Sequence, residues 1–316
     1  DRQQDVHLRD DSMSAKHAGI FRPATIARAL CVALGLAALG ATAADTPAAA
    51  VKSVKPGKAV KPVAAPAYKP IVEEKAMALL KASSQRLAAA KSMAFTATVS
   101  YEYPSKLGPA IVYTVRYDVA LQRPDRLRVI TPGDGPASEF YFDGKAMMAF
   151  VPAENLVAVA EAPPTIDAML KQAYRTAGMF FPFTDLIATD PFAALSAGVK
   201  TAFYVGPSGV VGGVKTDMVI WADNEVFLQI WIGVDDKLPR RVRAVYRADP
   251  LRLRHDLELS NWQLDAPLAV ETFVSEKAKT ADRIPFAHPM APPPGVKPLG
   301  ADKAVKGKPA TSGGMQ

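Results

Sequence analysis

The residues able to do acid–base, nucleophilic or metal chemistry are few, and their spacing assembles no recognisable catalytic set. The 316-residue chain has four histidines and one cysteine. His7 and His17 precede an apolar stretch near the N-terminus, so the remainder holds only His255 and His288. His288 stands at the edge of a Pro-rich tail. His255 lies between Arg254 and Asp256 in a charged stretch, where a solvent-facing position is expected. Cys31 falls inside the expected export signal, which leaves the mature region no thiol for nucleophilic attack or thiolate metal binding. No H-E-x-x-H, C-x-x-C, P-loop or dinucleotide fingerprint occurs. Gly206-Pro207-Ser208-Gly209 lacks the G-x-S-x-G pattern of a nucleophile elbow and suits a hairpin connection. Asp235-Asp236 before Lys237 reads as a turn. A glycosidase pair, two carboxylates roughly 5–10 Å apart, can be built from distant strands without any local signature. The sequence points to no catalytic residue, no metal site and no cofactor, and a hydrolase is the weakest of the three functions weighed.

Binding without covalent chemistry needs only apolar surface. Each buried methylene contributes about 0.8 kcal/mol, so an acyl chain can be held without a polar motif. The candidates are Tyr113 and Tyr117 on one strand face, Tyr141 in a hairpin, and Trp231 and Trp262 on later strands. Met169, Phe180 and Phe181 belong to a central helical insert, and a thioether chain adapts to varied ligands. The same residues would serve as ordinary core, since apolar patterning reports burial alone. Both faces of the hairpin around Asp143-Gly144 are apolar, so Tyr141 can face either way. Arg123, Arg126 and Arg128 form a small basic cluster suited to a phosphate or other anionic headgroup. Arg240, Arg241, Arg243 and Arg247 form another. Both alternate with apolar residues, as on a solvated sheet face.

The elements that must position these residues follow from charge and periodicity. Net charge is +7, and much of the excess lies in Lys-rich flanks, at Lys52, Lys55, Lys58, Lys61, Lys303, Lys306 and Lys308. Such flanks favour solubility first and anionic partners second. From Met13, the cations Lys16, Arg22 and Arg28 precede the apolar run Ala29–Leu39, and Ala41-Thr42-Ala43 is a small-x-small cleavage site. The run is shorter than the about 20 residues a spanning helix needs. A cleavable signal over 13–43 is therefore expected, with 1–12 as an over-extended start. Ala/Pro/Lys-rich segments at 44–70 and 287–316 read as a spacer and a disordered basic tail.

Between them, 71–286 is expected to fold. Val72, Ala76, Leu79, Leu80, Ser83, Leu87 and Ala90 recur at helical spacing over 71–91. From Met93 the period becomes two, through Phe95, Ala97, Val99 and Tyr101 and then Ile111, Tyr113, Val115 and Tyr117. Asp143-Gly144 marks a two-residue hairpin. Thr165 can cap a helix over 166–177 that ends at Gly178. The pattern predicts a mainly β (α+β) fold. It comprises a single strongly curved antiparallel sheet, an N-terminal helix, and a central helical insert, with the helices over the concave face.

Arg123-Pro124-Asp125-Arg126-Leu127, Tyr141-Phe142-Asp143-Gly144-Lys145, Thr165-Ile166-Asp167, Tyr204-Val205-Gly206, Gln229-Ile230-Trp231-Ile232 and Leu238-Pro239-Arg240 occur in this order. The ordered set resembles the DUF2092 family of predicted periplasmic proteins, which is similar to the lipoprotein-carrier (LolA/LolB-like) superfamily. The resemblance covers about 71–286. It implies an open half-barrel, a helical lid over an apolar cavity, and acyl chains as ligands. The expected protein is thus a periplasmic, non-enzymatic binder of a lipid, acyl chain or lipoprotein. A scaffold or sensor that meets an envelope protein partner or an anionic membrane surface is the alternative. Nucleic acid is disfavoured by the compartment. The binding reading requires an apolar hollow beneath the Thr165–Phe183 segment that the chain's own side chains leave unfilled.

Overall fold

The computed structural model describes residues 69–133 and 136–288. The expected start, the export signal, nearly all of the spacer and the tail beyond His288 lie outside the described residues. Helix α1 (Glu74–Ala89) buries Ala76, Leu80, Ser83, Ser84 and Leu87 on one face, as the 3.6-residue spacing requires. It begins later than the apolar pattern does, because Ile71–Glu73 run extended beside strand β7 (Thr201–Ser208). There Glu73 N donates to Ala202 O at 2.8 Å and Ala202 N to Ile71 O at 2.8 Å.

Strands β1 (Ser92–Tyr103) and β2 (Ile111–Gln122) form a long hairpin of 12 residues a side, about 40 Å at the usual rise. Strands β3 (Arg126–Thr131), β4 (Ser138–Phe142), β5 (Ala146–Val151) and β6 (Leu156–Glu161) continue outward from β2 as an antiparallel meander. Helix α2 (Ile166–Ala177) follows, then the short helices α3 (Thr184–Ile187) and α4 (Pro191–Ala197). The chain re-enters the sheet at its other edge. Strands β7, β8 (Thr216–Ala222), β9 (Val226–Gly233), β10 (Pro239–Tyr246) and β11 (Arg254–Leu264) run back inward until β11 pairs with β1. A final strap carries helix α5 (Glu276–Lys279) and strand β12 (Asp282–Ile284), which pairs in parallel with β6. One 12-stranded sheet results, in the order β12-β6-β5-β4-β3-β2-β1-β11-β10-β9-β8-β7. It is an open, curved, mostly antiparallel sheet with helices on one side, as the periodicity predicts.

The two faces are covered differently. The inner face takes α1 to α4 and holds the main core, including Phe95, Leu121, Leu127, Phe142, Met169, Phe183 and Trp221. The outer face of β5 and β6 carries a small second cluster, Phe150 and Val157 with Ala278 and Ala281 of the strap. Alternation sets the side of each residue, with one exception that matters. His255, Leu257 and Leu259 face inward, and so do Trp262 and Leu264, although the parity changes. A bulge opposite Phe95, with Asn261 at φ 57°, absorbs the extra residue and swings Trp262 inward.

Candidate functional site

The inner face concentrates the aromatic side chains. Thr165 Oγ1 accepts the amide of Ala168 and Gly178 closes α2 at φ 67°, so the helix starts and stops where its sequence dictates. Ile166 N donates to Pro124 O at 2.9 Å, which pins α2 to the β2–β3 link. Beyond α2 the chain drops Phe181 and Phe183 onto the sheet. Phe183 meets Phe95 and Tyr117, each at 5.6 Å, and stacks with Phe181 at 5.7 Å. Phe181 also touches Phe140 at 5.3 Å, and Phe95 stacks on Trp262 at 4.5 Å. Burial, with a contribution from Tyr101, pushes the Tyr117 hydroxyl up to about 12, so it stays a neutral donor.

Tyr117, Met169, Phe181 and Trp262 therefore gather on one face, whereas Phe180 is half-buried and not a member of that core. Tyr113 lies on the same side of β2 by alternation, but toward the open end of the hairpin and 43% exposed. Two candidates fall elsewhere. Phe140 and Phe142 enter the inner core, so Tyr141 between them faces outward, where its Oη donates to Glu139 at 2.8 Å. Burial first, then that carboxylate, pushes Tyr141 up to about 12. Trp231 faces outward between Ile230 and Ile232, under the Arg241 guanidinium at 5.5 Å. Neither side chain enters the inner face. The arginines divide similarly. Arg126 and Arg128 share the outer face with Tyr141, and Arg128 Nε, like Arg123 Nε, is buried with no hydrogen-bond partner among the described residues. Arg123 alone reaches the helical layer, donating from Nη2 to Ala188 O at 3.1 Å. Its own burial, opposed by Asp167, lowers its pKa.

The hollow expected beneath Thr165–Phe183 is occupied by the chain itself. Ile166, Met169, Ala173, Phe181 and Phe183 are all buried there. Open space persists one step along the sheet. A cavity of about 70 Å³ lies between α1, the α3–α4 segment and strands β9 to β11. Leu80, Leu87, Leu186, Leu195, Leu228 and Ile230 line it, with Ser83, Ser84 and Asp185 as polar members. At the foot of α1 a wider, open depression of about 480 Å³ runs between Ala88–Ser92, Gln122-Arg123 and Ala266–Leu268. The cavity-lining aliphatics were invisible as site residues in the sequence, because nothing separates them from core.

His255 is half-buried rather than solvent-facing. It stacks on Tyr101 at 6.3 Å and meets the edge of Tyr246 at 5.4 Å. Desolvation lowers its pKa against the pull of Asp249, Glu102 and Asp256. Burial, aided by Asp185, raises that of Tyr246. Among the described residues no three His, Cys, Asp or Glu side chains gather to hold a metal ion. Nor, among them, is any helix long and apolar enough to cross a membrane.

The DUF2092 family, described as a predicted periplasmic protein, matches residues 76–287, so the chain belongs to it. Several solved structures are similar. LprF from Mycobacterium bovis is 17% identical with a TM-score of 0.40, over 64% of this chain and 98% of that one. The Pseudomonas aeruginosa MucA/MucB complex gives 16% and 0.37, over 64% and 62%. The LolA superfamily protein NE2245 from Nitrosomonas europaea gives 10% and 0.30, over 64% and 98%. No curated protein matches the chain.

Proposed function

We propose that this DUF2092 protein is a non-enzymatic binding protein of the periplasm that accepts an acyl chain of a lipid or lipoprotein on the inner face of its sheet. The unfilled hollow that the sequence reading required beneath Thr165–Phe183 is not found, so on this proposal the structure is a closed form whose cover a guest must displace. The observation that carries the reading is the apolar cavity and where it lies. At about 70 Å³ it is far below the roughly 300–1,000 Å³ of ordinary ligand pockets, so a chain must displace part of the cover. The wall beside the cavity is the part of the cover with the least regular structure, a four-residue and a seven-residue helix. Arg123 to Ala188 O, Trp221 Nε1 to Leu195 O and Thr189 N to Asp167 tie it down. Swinging it outward uncovers a continuous apolar bed of Leu228, Ile230, Ile232, Val242 and Leu257. A guest burying about 12 methylenes gains about 10 kcal/mol, set against the lost burial of Phe183, Leu186, Ile187 and Leu195 and the three hydrogen bonds that the swing breaks. Of the three arginines weighed for an anionic headgroup, only Arg123 borders this region.

Native mass spectrometry of the protein isolated from periplasm, followed by uptake of a fluorescent fatty acid, tests the reading. A bound acyl species or saturable uptake is expected. A protein that carries none and takes up none, even with the Phe183 plug shortened to Ala, ends it.

A protein partner is the second reading, favoured by one feature. Strand β2 pairs with β3 only over Asp118–Gln122, so among the described residues its outer edge from Ile111 to Tyr117 has no strand beside it. Such an edge can accept an added strand. Capture of a periplasmic protein that survives delipidation, and that a proline at Val115 abolishes, would favour this role over the first.

A further inference from the structure

Short segments cover the two outer edges of the sheet, but a step inside it is left open. At one side Ile71–Glu73 run beside β7, with Val72 bridging Ala202. At the other the three residues of β12 lie beside β6. Such short terminal segments offer little backbone to a further strand. Strand β2 is different. Beyond the pair Asp118–Ile130 it runs on past the end of β3, and toward the hairpin tip no strand lies beside its edge among the described residues. There Ile111-Val112-Tyr113-Thr114-Val115 holds only β-branched and aromatic residues, with no proline, lysine or bulge to blunt the edge. Ile111, Val112 and Tyr113 are all exposed.

This edge is complementary to itself. Opposite residues of antiparallel strands share a face, so a two-fold axis between identical strands passes beside a single residue. With the axis at Tyr113, Ile111 lies opposite Val115 of the second copy, Val112 opposite Thr114, and Tyr113 opposite Tyr113. The first and third pairs meet on the inner side and the second on the outer. Aromatic and β-branched cross-strand pairs of this kind are favourable. Tyr113 already stacks on Tyr101 at 5.7 Å, so the axis joins two such stacks. No like charges are opposed. Arg116 is the one charged residue of 111–117; it falls opposite Ala110 and is paired with Asp118 at 2.9 Å. On β1 beside Val112, Glu102 is paired with Arg254. An axis at Thr114 would instead bring Ile111 beside Tyr117, at the level where β3 of the other copy ends in Thr131.

We propose that two copies of this chain pair antiparallel through these edges, about a two-fold axis at Tyr113, and so join their two 12-stranded sheets into one. The pairing occupies both open edges, so assembly closes at the dimer. It rests on the open edge of the second reading above and assigns that edge to a second copy in place of another protein. The acyl cavity plays no part in it. Five residues a side are few beside the about 1,200–2,000 Å² of a standard interface, so the dimer dissociates on dilution.

The test uses the full chain. Sedimentation velocity across a concentration series should show a monomer–dimer equilibrium. Tyr113→Lys, which opposes two like charges at the axis, should weaken it about tenfold or more. That variant also loses the contact with Tyr101, so a second measurement reads the register directly. Cys31→Ser removes the chain's only cysteine. In that background Tyr113→Cys should give a disulfide-linked dimer on mild oxidation, because opposite Cα atoms lie about 4.5–5.5 Å apart, within reach of a disulfide. Val112→Cys and Thr114→Cys should each stay unlinked alone and link when mixed, since each lies opposite the other and about 8 Å from its own copy. A chain that stays monomeric throughout the series, a Tyr113→Lys variant that dimerises like the parent, or Thr114→Cys linking to itself as readily as Tyr113→Cys would overturn the proposal. A monomeric chain whose edge still captures a periplasmic protein would overturn it and leave the second reading standing. A dimer linked at Tyr113→Cys that captures no such protein would do the reverse.

Discussion

Replacing Ser84 by Leu should stabilise the protein and, in the same step, close the proposed acyl site. Ser84 is 4% exposed on the inner face of α1 and lines the about 70 Å³ cavity. Its hydroxyl makes no hydrogen bond among the described residues, so the change breaks none. Leucine adds three carbon groups into space that is already open and apolar. At about 0.8 kcal/mol per group this is worth about 2.4 kcal/mol, with a few tenths more from helix propensity. Imperfect fit offsets about 1 kcal/mol of it. The net expectation is about 1–2 kcal/mol of added stability. For a folded region of this size each kcal/mol moves Tm by about 2–4 °C, so a rise of about 2–8 °C should appear in thermal unfolding followed by circular dichroism. The same variant should lose uptake of a fluorescent fatty acid, because the side chain occupies the start of the guest's path. Destabilisation by more than 1 kcal/mol would mean that the cavity is not free space at this position. Added stability with uptake intact would refute the placement of the guest in this cavity.

Three further expectations follow from the packing. Phe183→Ala removes a fully buried ring that touches Phe95, Tyr117 and Phe181, and should cost about 3–5 kcal/mol in urea unfolding while strengthening acyl-probe binding, since the plug no longer competes. His255 has a pKa below its unfolded value of about 6.5, so as pH falls the unfolded chain takes up the proton first. Stability from this residue is complete above about pH 6.5 and is lost on acidification toward the lower folded value; His255→Phe should remove that part of the slope between unfolding curves at pH 7.5 and 5. Gly178→Ala places a methyl on a residue at φ 67° and 2.6 Å from the His288 ring, and should lower stability by about 1–2 kcal/mol, read as a fall in Tm.

The fold was legible where one physical rule dominated. Alternation from Phe95 to Tyr101 and from Ile111 to Tyr117 marked both strands of the long hairpin and which residues share a face, but not which face is inward. Thr165 and Gly178 marked the ends of α2 because a capping hydroxyl and a left-handed residue have few other uses. Legibility ended where two rules gave equal answers. Around Asp143-Gly144 both faces are covered, the inner by helices and the outer by the C-terminal strap, so alternation held no contrast and Tyr141 was undetermined. Strap residues such as Ala278 and Ala281 carry no periodic signal, yet they create the second apolar face that hid it. Trp262 reached the inner face only through the bulge at Asn261, which period-two reasoning does not foresee. His255 was misjudged because its charged neighbours, Arg254 and Asp256, face the opposite way.

The site was illegible for a different reason. A trough that keeps an acyl chain from water would itself be a large exposed apolar patch when empty, and soluble proteins seldom tolerate one. On the proposed reading the chain fills the trough with its own side chains and yields them to a guest. Phe181 and Phe183 would do this filling, and such residues look like core because they are core until displaced. What separates them from permanent core is the backbone that carries them. Phe95 and Trp262 sit on strands paired on both sides, whereas Phe183 precedes a helix of four residues. The informative pattern was therefore aromatic density on a segment too short for its own hydrogen-bonded structure, Phe180-Phe181-Pro182-Phe183. Displaceability is a difference in backbone anchoring, and local free energies of opening along a chain follow such differences. Hydrogen exchange should accordingly find the amides of 182–197 opening well before those of β1 and β11, a gap that a bound acyl chain would change.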